Sequence, residues 1–328
     1  MIVTRTPLRV PLGGGGTDVP SYYRDFGGYF ISAAINKYIY ITVNPRFEDS
    51  IRVSYSRTEI VDSVDDIEHP IVREALKLLG ILRSLEIISM ADLPANTGLG
   101  SSGSFTVGLL QALHALKRDH VGPQQVAEEA FHIEAEILGE PSGKQDQYIA
   151  AFGGITAFEI ATDGSVKAMP VGLDEEVVDR LENDSMLFYT GLKRSSGEVL
   201  TSQQQALTNG HVDVAESLDE IKAIGREVSE ALVQGDLTRF GALLDLHWQA
   251  KKRTSTLITT DEVDRWYALA RAKGALGGKL MGAGGGGFFL FYCPNDYKSG
   301  LRKAMAAEGL REMRFAIDED GSKVIVNL

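Results

Sequence analysis

The sequence predicts an α+β protein of two domains, and three observations lead there. Strand-like runs alternate irregularly with amphipathic tracts, without the strict strand–helix–strand order of a doubly wound sheet. The length, 328 residues, exceeds one ordinary domain. Glycine-rich stretches at 11–18 ("PLGGGGTD"), 96–104 ("NTGLGSSGS") and 279–292 ("KLMGAGGGGFFLFY") each abut a structured segment, and their contexts differ too much for a tandem repeat.

Taken in order, "YFISAAINKYIYITVN" (29–44) is β-branched and aromatic and reads as one or two strands. In "HPIVREALKLLGI" (69–81), Ile71, Ala75, Leu78 and Leu79 fall on one helical side. A strand at 84–94 enters the second glycine stretch. Beyond it Phe105, Leu109, Ala112, Leu113 and Leu116 recur at helical intervals, so a helix starts near Ser102. Pro123 and Gly139 bracket another helix. Residues 154–171 read as a hairpin around Asp163-Gly164. The second half begins with a strand at 185–191 and two long helical tracts. It ends with a strand at 287–293, a helix near 297–308 and a closing hairpin around Asp320-Gly321. The boundary is placed to give domains 1–175 and 176–328.

Composition narrows the function classes. With 44% hydrophobic and 24% charged residues the chain is globular, and no apolar run approaches the roughly 20 residues of a membrane span. The N-terminus lacks the apolar core of a signal peptide, and a single cysteine, Cys293, suits a reducing compartment, so the expected location is the cytoplasm. A net charge of −12 argues against nucleic-acid and membrane partners, but not against a nucleotide held by backbone N–H groups. The expected assembly is a monomer or homodimer.

Gly98-x-Gly100-x-x-Gly103 has the form of a dinucleotide fingerprint, but the acidic residue at the right distance, Asp119, ends a helical pattern rather than a strand. The Walker A pattern is absent too, since Lys279 is followed by Leu280. What remains is a strand, a loop of small residues and a helix N-terminus, which together make an anion site. Ser101, Ser102 and Ser104 add hydroxyls, one of which could reach a Mg²⁺. Glu134 has Ala130, Phe131, Ile137 and Leu138 as its helical neighbours and therefore points inward. There its carboxylate needs a cation, an arginine or a hydroxyl. Glu128, Glu129 and Glu136 read as solvated. The six histidines show no paired metal-ligand spacing, and Trp248 and Trp266 read as core.

"LPANTGLGSSGSFTVGLLQAL" resembles the P-x-x-x-G-L-G-S-S-A loop of the GHMP kinases, and the other two glycine stretches match that family's first and third motifs in order. The resemblance implies an N-terminal domain like the second domain of ribosomal protein S5 and a C-terminal ferredoxin-like domain, with ATP and Mg²⁺ as cofactors. Pro94, Gly98, Leu99, Gly100, Ser101, Ser102, Gly103, Ser104, Gly284 and Gly285 would hold the nucleotide; Ser102 and Glu134 the metal. Arg9 and Asp146 match the catalytic positions, and Thr17, Asp18 and Lys144 fall where the sugar is expected. Position 103, Ala in many members, is Gly here, a change expected to leave phosphate binding intact. Galactokinase-like members carry Glu and His where this chain has Gly15 and Gly16, which argues against galactose.

Within the family, "PLRVPLGGGGTD", "GKQDQYIAAFGG" and "TGLKRSS" are most similar to the branch acting on the anomeric hydroxyl of D-glycero-D-manno-heptose 7-phosphate, on the route to GDP-heptose. The substrate's phosphate would then be met by Lys193 and Arg194, or by Lys251, Lys252 and Arg253. The alternatives are a fucokinase-type enzyme of an unphosphorylated sugar and a catalytically silent sugar or nucleotide sensor. Retention of Arg9, Glu134 and Asp146 together argues against the sensor.

Overall fold

The computed structural model describes residues 1–95, 97–192, 196–208 and 212–328. The chain begins with β1 (Ile2–Gly13), α1 (Pro20–Phe26), β2 (Gly28–Pro45), β3 (Ile51–Ser54), β4 (Thr58–Val61), α2 (Pro70–Leu78) and β5 (Leu85–Ala91). Then come α3 (Ser101–Lys117), α4 (Pro123–Phe131), α5 (Gln145–Phe152), β6 (Ile155–Ile160) and β7 (Val166–Pro170). Next are α6 (Glu175–Asp184), β8 (Ser185–Tyr189), α7 (Ser196–Thr208), α8 (Val212–Val233), α9 (Leu237–Arg253) and α10 (Asp261–Ala272). The last elements are β9 (Gly277–Leu280), β10 (Phe288–Tyr292), α11 (Asn295–Ala307), β11 (Arg311–Met313) and β12 (Lys323–Asn327).

The first sheet is built on β2, whose 18 residues are long enough to serve three partners. One edge pairs with β1; the other takes β6 along its first half and β5 along its second. The path runs β12-β1-β2-β5-β3-β4, and every described pair except β3–β5 is antiparallel. Against this sheet α3 buries Val107, Leu109, Leu110 and Leu113. The second sheet has the order β11-β8-β10-β9, antiparallel throughout, which is 4-1-3-2 counted within the sheet, the order of a ferredoxin-like layer. Its side chains alternate between faces. Leu187, Leu290 and Tyr292 join the core of the first sheet, while Phe188, Phe289 and Phe291 form a second cluster with Trp248 and Trp266. Mixed sheets with segregated helices make the protein α+β, as predicted.

Three local expectations change. The Asp320-Gly321 segment is not a hairpin: β12 leaves the second half and pairs with β1. Among the described residues four helices, rather than two tracts, separate β8 from β9. β9 itself, "GGKL", was invisible because it has no β-branched residue; its pairing to β10 and its contact with α9 impose the strand. The hairpin of β6 and β7 forms where Asp163-Gly164 placed it. No described helix is long and apolar enough to cross a membrane.

Candidate active site

Both halves line a cleft of about 370 Å³. From the first half come Arg9, Asp18, Gly98, Gly100, Ser102, Glu134 and Asp146; from the second, His247, Lys251, Lys279, Gly282 and Gly284.

At its centre β1 delivers Arg9, which is 4% exposed, to the first turn of α5. Its Nε donates to Asp146 Oδ1 at 2.8 Å, and its Nη2 lies 2.7 Å from the same oxygen as an ion pair. Its Nη1 donates to the Gly98 carbonyl at 2.5 Å. The guanidinium thus ties the glycine loop before α3 to the Asp146 carboxylate. Among the described residues no hydrogen bond reaches Asp146 Oδ2.

The loop before α3 is closed by close approach. Gly98 (φ 78°) and Gly282 (φ 65°) lie backbone against backbone: a Cβ on Gly98 would come 2.8 Å from the Met281 carbonyl, and one on Gly282 2.8 Å from the Gly98 Cα. A Cβ on Gly103 would meet Asp146 Cβ at 2.7 Å and Gln147 N at 3.0 Å, so Gly103 sets how closely α5 packs on α3. Gly100 is the left-handed residue that opens α3.

Ser102, in the first turn of α3, donates to Glu134 Oε2 at 2.9 Å. Glu134 is 4% exposed, as its apolar neighbours predicted, and Oε1 has no hydrogen-bond partner. It does not sit on a regular α-helix. After α4 the chain widens into a π turn over His132–Ile137, with Leu138 N donating to the Ile133 carbonyl at 3.0 Å. Burial pushes the Glu134 carboxyl up to about 7; nearby hydroxyls of Thr106 and Ser102 offset part of this, and Asp146 repulsion adds to it. A buried carboxylate with one orphan oxygen beside a serine hydroxyl fits a hard divalent cation, whose preferred ligands are oxygens.

Asp18 is 5% exposed and lines the cleft, with Oδ1 accepting from Gly16 N at 2.9 Å and Oδ2 from Gln145 N at 3.0 Å. It therefore clamps the segment entering α5 onto the first glycine loop. Burial raises its carboxyl, backbone N–H groups of Gln145 and Gly16 counter this, and Asp146 adds to the rise.

Several expected contacts are placed elsewhere. The Thr17 hydroxyl is fully buried and donates to the Gly14 and Tyr29 carbonyls, both at 2.8 Å, so it shapes the loop rather than facing the cleft. Ser104 Oγ is likewise internal, donating to the Pro7 carbonyl at 2.7 Å. Lys144 points away from the cleft to Glu128, 2.7 Å from each carboxylate oxygen, and lies over Phe131; Glu128 is thus a partner rather than a free solvated acid. Glu129 similarly meets His114 Nε2 at 2.7 Å. Pro94 is exposed and Leu99 buried, and neither lines the cleft. Gly98, Gly100, Ser101, Ser102 and Gly284 do; Gly285 instead donates its N–H to the Ile258 carbonyl at 2.9 Å. Lys193 and Arg194 lie outside the described residues.

The basic run 251–253 divides. Lys252 pairs with Asp264 and Arg253 with Glu220, both away from the cleft. Lys251 turns inward, and its Nζ donates to the Leu280 and Gly282 carbonyls at 3.1 and 2.5 Å. Desolvation, with repulsion from Arg9, pushes its ammonium down to about 7. Sequence reasoning missed Lys279 and His247 beside it, each 2% exposed. The available signal was one lysine inside the otherwise apolar "GALGGKLMG".

Two family signatures match this chain: the GHMP kinases N-terminal domain over residues 70–154 and the GHMP kinases C-terminal region over 228–310. A D-glycero-alpha-D-manno-heptose 7-phosphate kinase of Campylobacter jejuni is 31% identical over 98% of both chains. The chain belongs to the GHMP kinase family. This GHMP kinase is therefore an ATP-dependent phosphotransferase with an alcohol acceptor. Its fold matches a crystal structure described as a D-glycero-D-manno-heptose 1-phosphate kinase from Bacteroides thetaiotaomicron, with a TM-score of 0.82 and 26% identity over 100% of both chains. The kinase is also similar to an L-fucokinase/L-fucose-1-P guanylyltransferase of Bacteroides fragilis, 24% identical over 91% of this chain and 35% of that one.

Proposed function

We propose that this protein is a sugar kinase that transfers the γ-phosphoryl group of ATP to the anomeric hydroxyl of D-glycero-D-manno-heptose 7-phosphate. The product is the 1,7-bisphosphate, a precursor of nucleotide-activated (GDP-) heptose, and the site of action is the cytoplasm. The observation that carries phosphoryl transfer is the Arg9–Asp146 ion pair beside the α3 N-terminus, with both guanidinium contacts on one carboxylate oxygen. The 31% identity to the heptose 7-phosphate kinase supports the choice of sugar.

In this reading the N-terminal end of α3 and the Gly98–Ser102 backbone receive the triphosphate. Ser102 and Glu134 hold Mg²⁺, which when bound supplies charge neutralisation on the phosphates. Asp18 accepts sugar hydroxyls while holding the α5 entry. Asp146 Oδ2 orients the acceptor hydroxyl and takes its proton as that oxygen bonds to the γ-phosphorus; the bond to the β–γ bridging oxygen breaks, and ADP leaves. Arg9 stabilises charge on the transferring oxygens. The same reading divides the chain near residue 175, supported by the two sheets, with β12 returned to the first.

The test is ADP release with heptose 7-phosphate, free heptose and L-fucose. The expected order puts heptose 7-phosphate first. Preference for fucose would favour the fucokinase reading, to which the Bacteroides fragilis relative lends support. No ADP release with any sugar would leave the sensor.

A further inference from the structure

The second half presents a group of cations to the cleft that phosphoryl transfer, as derived above, does not use. His247 and Lys251, one turn apart on α9, and Thr254, just past its end, all line the cleft. Lys279 reaches the same wall from β9, in register with Leu290, on the sheet face that otherwise carries apolar side chains. Among the described residues no carboxylate pairs with Lys251 or Lys279, and both ring nitrogens of His247 are buried without a partner. Lys279 and His247 are both pulled well below their ordinary values, by desolvation first and then by neighbouring cations. Buried cations without counter-charge are expensive, and an anion that neutralises them is the usual resolution.

We infer that His247, Lys251 and Lys279 form a pocket for the phosphate group that the sugar acceptor already carries. The α3 N-terminus, Ser101, Ser102 and Glu134, which the proposed function gives to the nucleotide's phosphates and the cation, line the first half of the cleft, and Lys251 borders them through the Gly282 carbonyl. An uncharged sugar would bring nothing to these lysines. A dianionic phosphate meets two ammonium groups and an imidazole that has its donors and acceptors free. The inference rests on the acceptor being a sugar phosphate, and it replaces the basic run as a whole by its one inward member plus two residues outside it.

The decisive variant is Lys279→Met in the full-length protein. The KM for the sugar phosphate rises roughly 10- to 100-fold, as loss of a charge-assisted bond requires, while the KM for ATP stays within about twofold. A rise in the ATP KM in place of the acceptor's gives the lysines to the nucleotide and overturns the assignment, as does no change in either. Folding is checked in the same preparation: removing an unpaired buried charge leaves the Tm at or above wild type. If no sugar phosphate is a substrate, the functional reading fails and a separate measurement judges the pocket. With the nucleotide site filled by ADP and Mg²⁺, inorganic phosphate raises the Tm of wild type and leaves Lys279→Met unmoved. An equal shift in both proteins, or none in wild type, sinks the pocket.

Discussion

At Glu134 a single buried carboxyl is expected to make the stability of the nucleotide-free protein depend on pH. Its folded value of about 7 lies above the ordinary 4.5, so the folded chain binds that proton more tightly than the unfolded one. The stabilisation is complete below pH 4.5 and is lost as pH rises through 7, a swing of about 3 kcal/mol. Melting curves from pH 5 to pH 8 should therefore show a steeper fall in Tm for wild type than for Glu134→Gln. Parallel slopes would rule this out. In the same half of the cleft, Arg9→Ala should lower kcat by about 10²- to 10³-fold, the usual loss for a group that stabilises transition-state charge. A kcat near wild type would remove Arg9 from the chemistry. Residue identities were legible from the chain; side-chain directions were less so. Glu134 could be placed inward because its helical neighbours are apolar, whereas Thr17, Ser104 and Lys144 satisfy local backbone or Glu128 in ways no spacing reveals.

Between elements, the contact of α3 with α5 decides how the Asp146 carboxylate is held. A methyl at Gly103 would enter the space of Asp146 Cβ, where overpacking typically costs 1–3 kcal/mol. Gly103→Ala is expected to reduce kcat at least about tenfold with nucleotide affinity preserved, read by steady-state kinetics and ADP binding. Equal kcat in the two proteins would contradict it. Family resemblance implied only that glycine here leaves phosphate binding intact; the close packing of the two helix starts adds the expectation for kcat. The α4 helix was visible from Pro123 and Gly139, but its π turn was not, because the extra residue is accommodated by backbone hydrogen bonds and leaves no mark in the apolar period. Strand β9 escaped for a related reason: its partner, not its own composition, makes it a strand.

For the whole molecule, the two sheets share one core through Leu187, Leu290 and Tyr292, and the last strand crosses back to the first sheet. A terminal Asp-Gly signal is local, whereas the partner of β12 is the first strand of the chain, so sequence proximity pointed to the wrong pairing. Deleting residues 323–328 should expose the β1 edge and lower the Tm of the whole protein; an unchanged Tm would show that β12 contributes little. The meeting of Gly98 with Gly282 has a consequence of its own. Main chain resting on main chain is the nearest two segments can come, so the jaws of the enzyme have a built-in doorstop there. A single methyl at either glycine is a shim that props the jaws ajar.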